Sequence, residues 1–230
     1  MKRAQHIRAQ LRHLREKLMR SEDAGVLVEF GIVVSLFLFL FMSLLDFGRL
    51  SFSVVNAQKA AQMAARIAVV RPAACNYADK TPLPLIHQRG SDTSLRFGAA
   101  CDAATGVCDD PGDLVCVGGV ENLATDQGPI GTSNEIWGRI SPLLPPGATI
   151  NNLRITYEFD DELGFLGGPY TPMVTVELDL ADFEFVSPLG TLANAAGATN
   201  STLPNAGETL GYSSFSVSLP AEDLALGESG

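Results

Sequence analysis

The chain has 230 residues, 46% of them hydrophobic and 18% charged, with a formal net charge of −10. That apolar content excludes wholesale disorder. The charge is lopsided. Residues 1–24 carry seven Lys/Arg against three Asp/Glu, the rest of the chain carries nine against 23, and from Phe97 onward only Arg139 and Arg154 are basic. A nucleic-acid binder needs a basic face, and the main body has none, so nucleic acid is excluded as a partner.

The first predicted element is an apolar helix. From Val26 to Leu45 the only charge is Glu29. Twenty helical residues span about 30 Å, the thickness of a bilayer's hydrocarbon core. A buried helix of a soluble protein would carry a polar stripe, and this one has none. The run is therefore read as a transmembrane helix over 25–45, with residues 1–24 as a basic leader. Positive flanks stay cytoplasmic, which places the N-terminus inside and the chain from Asp46 onward outside. A cleaved secretory signal ending at the small residues Val55 and Ala57 would place Asp46 and Arg49 between the apolar run and the cut, against the usual pattern.

Glu29 needs an explanation. A carboxylate inside a membrane helix costs a few kcal/mol even on mild insertion scales. A cut after Ala24 would give Gly25 a new α-amino group and make Glu29 the fifth mature residue. Two such helices side by side could then neutralise each other's carboxylate and amine. A cut after Gly25 would put Glu29 fourth. An uncleaved anchor offers no such partner, and at headgroup depth Glu29 would need none.

These residues carry a resemblance. Glu22-Asp23-Ala24-Gly25, the Glu29-Phe30 pair, the apolar run, the turn Asp46-Phe47-Gly48-Arg49 and an Ala-rich helix follow in order over residues 15 to about 71. Together they resemble the N-terminal signature of TadE-like proteins, pseudopilins of the tight-adherence (Flp) pilus system. The family often has Pro six residues after the Glu, where this chain has Ser35. The resemblance implies cleavage by a prepilin peptidase at Ala24/Gly25 and membrane pairing through Glu29 and Phe30. It also implies an inner-membrane location with the outer part periplasmic, and partners among pilin-like subunits and the Flp/Tad secretion machinery. It implies no catalysis and no cofactor. The alternatives are a membrane-anchored periplasmic binding or adhesion module outside any pilus and, further off, an exported enzyme.

The helical pattern continues past the membrane. Phe47, Leu50, Val54, Ala57, Ala61, Ala64 and Ala68 step by three and four, one apolar stripe that turns small toward its end. Pro72 disfavours helical geometry at Arg71, so an outer stalk helix is expected over 46–71. Asp46 and Arg49, three apart, suit a local ion pair.

An α+β domain is expected over 72–230. All four cysteines, Cys75, Cys101, Cys108 and Cys116, lie there, and an even count in an exported segment reads as two disulfides. A Cys₄ zinc site would favour closer pairs. Of three possible pairings, Cys101–Cys108 with Cys75–Cys116 is preferred, since it closes one short hairpin and staples the helix end to the next segment. Residues 72–131 otherwise read as irregular. Thr132-Ser-Asn-Glu135 has the spacing of a capping box opening a short helix, with Ile136, Ile140, Leu143 and Leu144 on one face. Leu153–Phe159 alternates as a half-buried strand, and so does Val174–Leu180. The parity then shifts to Phe183 and Phe185, through a bulge near Ala181 or a break between strands. Phe215, Val217 and Leu219 make a last strand after a Gly/Ala/Asn-rich loop over 187–211. One polar face per strand implies an antiparallel sheet laid against the helix.

Chemistry is sparse. His87 is the only histidine outside the leader. No nucleophile elbow or phosphate-binding loop occurs. The clusters Asp109-Asp110-x-x-Asp113 and Asp160-Asp161-Glu162 lack the spacing of a calcium loop and read as solvated turns. The sequon Asn200-Ser201-Thr202 carries no weight.

Overall fold

The computed structural model describes residues 22–79, 81–118, 129–187, 209–212, 214–222 and 224. The leader before Glu22, the sequon and nearly all of the 187–211 loop lie outside the described residues. The chain divides into two units: residues up to Arg49 with Glu184–Glu208, and Leu50–Phe183 with Thr209–Gly230. One helix, α1 (Glu22–Ala68), contributes to both.

In the first unit α1 is apolar all round. Ten large apolar side chains between Val26 and Leu40 are exposed. Leaving each in water rather than buried costs about 1.5–3 kcal/mol, roughly 15–30 kcal/mol for the row, so this surface fits an apolar surrounding such as a membrane anchor's. The helix is long and apolar enough to cross a membrane. Ser35 and Ser43 fold their hydroxyls back onto the carbonyls of Ile32 and Phe39, each at 2.8 Å, which hides both from an apolar surrounding.

In the second unit the rest of α1 is the core element. Ala57, Ala60, Ala61, Ala64, Ala65 and Ala68 are fully buried. Small side chains let the helix backbone approach what it packs on, and alanine does so at no loss of helix propensity. The helix ends at Ala68, three residues before the limit set by Pro72. Its last turn tightens, with the Val70 N–H on the Ile67 carbonyl at 3.2 Å, and the Val69 carbonyl accepts the N–H of Glu222 at 3.0 Å.

The sheet is antiparallel, in the order β1-β2-β3-β6. Its strands are β1 (Leu114–Val117), β2 (Leu153–Glu158), β3 (Met173–Leu178) and β6 (Phe215–Pro220). One row across it is Cys116, Ile155, Val176 and Val217. The inward residues Leu153, Ile155, Tyr157, Val174, Val176 and Leu178 are buried and join the alanines of α1 in one core. On the outer face Thr175 and Ser218 are hydrogen-bonded at 2.8 Å and Arg154 lies 3.8 Å from Glu177.

Three local readings change. Strand β1 lies inside the stretch read as irregular. Its Leu-Val-Cys-Val is too short to alternate visibly, and the disulfide to Cys75 and pairing with β2 hold it. The capping box at Thr132 does not form. Helix α2 (Pro129–Ile140) starts three residues earlier, with proline in its first turn. Thr132 instead donates its hydroxyl to the Pro72 carbonyl at 3.1 Å, and Glu135 pairs with Arg71 at 3.0 Å. Leu143 belongs to a separate 3₁₀ turn, Ser141–Leu143. Finally, the parity shift after Leu180 is a break: β3 stops at Leu178, and a two-residue strand β4 (Phe183–Glu184) follows, its mate in the small second sheet being β5 (Thr209–Leu210).

Candidate functional site

The sequence places its candidate functional residues on α1, and the geometry at the start of that helix is open. Ala24 and Gly25 lie in the first turns of the helix. A Cβ built on Gly25 meets nothing within 4 Å. Glu29 is exposed one turn later, and Phe30 beside it is 68% exposed. Among the described residues Glu29 has neither a hydrogen bond nor an ion pair. An apolar helix thus presents one carboxylate outward amid Val, Leu and Phe side chains.

The Asp46-Phe47-Gly48-Arg49 turn is different, because it is closed. Asp46 is 2% exposed although its helix neighbours are bare. Its Oδ2 accepts the backbone N–H groups of Val186 and Ser187 at 3.1 and 2.6 Å. Its Oδ1 lies 3.3 Å from Nη1 of Arg49, so the expected local pair is present. Phe47 sets its ring edge-on to Phe185, with centroids 6.2 Å apart. A buried carboxylate with three donors keeps its charge at little cost. The 186–187 segment is the partner that sequence reasoning missed. Nothing local to Val186-Ser187 marks two N–H groups as donors to a residue 140 positions earlier.

The disulfides lie in the second unit. Cys75, just after α1, is bonded to Cys116 of β1, and both sulfurs are in the main core. Cys101 is bonded to Cys108 in a small separate cluster with Val107 and Leu166. No cysteine is free.

His87 is the second residue whose setting the sequence did not reveal. It is 1% exposed. Its backbone is pinned from two sides: its N–H donates to the Gly168 carbonyl at 2.8 Å, and its carbonyl accepts from Gly167 at 3.0 Å. Its ring lies between Tyr170 and Phe159, at 5.1 and 6.2 Å between centroids. Nε2 accepts the N–H of Thr171 at 3.3 Å, with the Thr171 hydroxyl also at 3.3 Å, while Nδ1 is buried without a partner. Burial holds the imidazole below its ordinary pKa, so it is neutral near pH 7. Gly164, at φ +83°, covers it closely, and a Cβ there would run into Nε2.

The acidic clusters stay as turns. Asp110 and Asp160 each accept a backbone N–H two residues on, at 2.8 and 3.0 Å. A shallow depression lined by Tyr77, Asp79, Pro84, Gln88 and Asp109 is open to solvent.

No curated protein and no solved structure significantly matches the chain. A family match covers 42 of the 230 residues: it begins at Gly25, takes in Glu29 and the Asp46–Arg49 turn, and stops two residues short of the end of α1. Over residues 25–66 the chain matches the family of TadE-like proteins, and the long apolar helix with its two acidic positions is the segment that matches.

Proposed function

We propose that this chain is a non-catalytic, pilin-like membrane subunit that takes part in assembling a tight-adherence (Flp) pilus. The observation that carries the reading is Glu29, an exposed carboxylate on a membrane-length apolar helix inside the family-matched segment. A lone carboxylate in lipid is costly, and a neighbouring helix bearing a free amine relieves that cost. Processing after Ala24 by a prepilin peptidase supplies that amine on Gly25. The leader 1–24 then fixes orientation before removal, and residues 46–71 and 72–230 are the stalk and outer domain on the periplasmic side of the inner membrane. The Arg/Lys excess of the leader supports that orientation. Partners are other pilin-like helices and the Flp/Tad machinery.

The test is Glu29→Ala in the native host. The variant is expected to be processed and membrane-inserted normally but to lose co-purification with other pilin-like subunits and to reduce surface pili. Unchanged piliation and co-purification would contradict the pairing role.

A further inference from the structure

The Cys101–Cys108 disulfide differs from its companion in three ways. It closes a short loop, seven residues apart in sequence against 41 for Cys75–Cys116. It sits in a small cluster of its own rather than in the main core. The turn it closes, from Asp102 to Thr105, is exposed. A short loop contributes least to restricting the unfolded chain, so the fold depends less on this bond.

His87 lies beside it. A ring nitrogen of His87 and the sulfurs of Cys101 and Cys108 all lie within 4.8 Å of one another, and all three residues are buried. A buried ring nitrogen without a hydrogen bond is uncommon and asks for a reason. Thr171 holds the other nitrogen and offers it both an N–H and a hydroxyl oxygen. The first suits an acceptor Nε2 and the second a protonated Nε2. With Nε2 protonated and donating to the Thr171 hydroxyl, Nδ1 carries the free lone pair and has a coordination position to give. Metal-ligating histidines use this kind of second contact to set ring orientation and tautomer.

We propose that the Cys101–Cys108 pair is reducible and that, once reduced, it forms with His87 a three-coordinate site for copper(I). The redox step balances with a dithiol reductant. The Cys101–Cys108 S–S bond breaks, one S–S bond forms in the reductant, and the two dithiol hydrogens end on Sγ of Cys101 and Sγ of Cys108. Copper(I) then displaces both thiol protons and takes two thiolates and one imidazole nitrogen. Soft thiolates favour copper(I) and zinc, and the donor number separates them. Three donors complete a copper(I) shell, whereas a closed zinc site takes four, and among the described residues no fourth His, Cys, Asp or Glu joins the cluster. The sulfurs must part from bonding distance, and the exposed 102–105 turn gives the room. Phe159 and Tyr170, packed on His87, keep the site apolar. Cys75–Cys116, buried in the main core, stays a structural bond.

The test uses the full chain in detergent micelles, treated with a dithiol and titrated with copper(I) against a chromophoric chelator. Thiol mapping by mass spectrometry follows which bond opens. The expected result is selective opening of Cys101–Cys108, one copper(I) per chain, and an X-ray absorption signature of two sulfur donors and one nitrogen. Zinc(II) is expected to bind at least tenfold more weakly than it does to a four-ligand site. His87→Gln is expected to lower copper(I) affinity at least tenfold, and the double variant Cys101→Ser/Cys108→Ser to abolish binding. Sulfur-only coordination, undiminished affinity in His87→Gln, or opening of Cys101–Cys108 only on unfolding would overturn the proposal. If His87→Gln fails to fold, the wild-type absorption spectrum decides alone.

Discussion

Oδ2 of Asp46 accepts the backbone N–H of Ser187 at 2.6 Å, across 141 residues of chain. Val186 donates to the same oxygen. The acidic residue at the end of the apolar run is thus a docking point for the 185–187 segment, and Arg49 completes its neutralisation.

Asp46→Ala removes the acceptor for two backbone N–H groups. Hydrogen bonds to a charged group are worth about 1.5–3 kcal/mol each, so the Val186 and Ser187 amides are expected to exchange with solvent roughly 10–100-fold faster. Hydrogen exchange read by mass spectrometry on the micelle-bound full chain checks this. Asp46→Asn keeps an oxygen acceptor and is expected to fall between. Unchanged exchange at 186 and 187 would mean that the segment is held by other contacts.

Tyr157 reports on the core between sheet and helix. Its hydroxyl is fully buried and accepts the N–H of Ala74 at 3.1 Å. Tyr157→Phe strands that N–H and is expected to destabilise the outer domain by about 1–3 kcal/mol in thermal melts. Burial pushes the phenol up to about 12, against a small opposing effect of the Ala74 N–H. An unfolded tyrosine ionises near 10. Between pH 10 and 12 the unfolded chain therefore loses a proton that the native chain keeps, and stability falls as pH rises. Below pH 10 the contribution is whole. Melts of the wild type and Tyr157→Phe across pH 9–12 should converge as pH rises, and parallel curves would refute the buried, neutral phenol.

The small side chains of α1 are a packing requirement. Ala64 is fully buried, and its neighbour Met63 is 42% exposed. Ala64→Leu is expected to cost about 1–3 kcal/mol by overpacking. Met63→Leu, on the outer face, is expected to stay within about 0.5 kcal/mol of wild type. Equal effects at the two positions would show that the alanine face is not packed as described.

The two disulfides should differ in weight. On loop length alone, Cys75–Cys116 contributes about 3.9 kcal/mol and Cys101–Cys108 about 2.4 kcal/mol. Denaturant melts of the paired Cys→Ala variants are expected to order accordingly, with Cys75→Ala/Cys116→Ala about 1.5 kcal/mol the less stable. The reverse order would place the structural burden on the short loop.

Periodicity made much of this chain readable. The apolar run and the stepping alanines together encode one helix and the alternation from Leu153 to Phe159 one strand, each within one stretch of chain, and both elements are present. What escaped lies in contacts between distant segments. Strand β1 is four residues long and exists because β2 pairs with it. Thr132 and Glu135 have the spacing of a cap, yet Pro72 and Arg71, some 60 residues earlier, take both side chains. His87 reads as an isolated histidine in an irregular loop. Backbone bonds of 87 to 167 and 168, of 88 to 109 and of 90 to 107 bring it to the second disulfide. Of the candidate site, Glu29 and the Asp46–Arg49 pair are local and were legible. The partners of Asp46 on the 185–187 segment were not.

If Glu29 serves a processed, pilin-like helix, mass spectrometry of the N-terminus of the protein extracted from its own membranes will find a mature chain beginning at Gly25, or one residue later at Val26 if the cut follows Gly25. A chain beginning at Met1, or at Gln58 after removal of the whole apolar run, would refute that role.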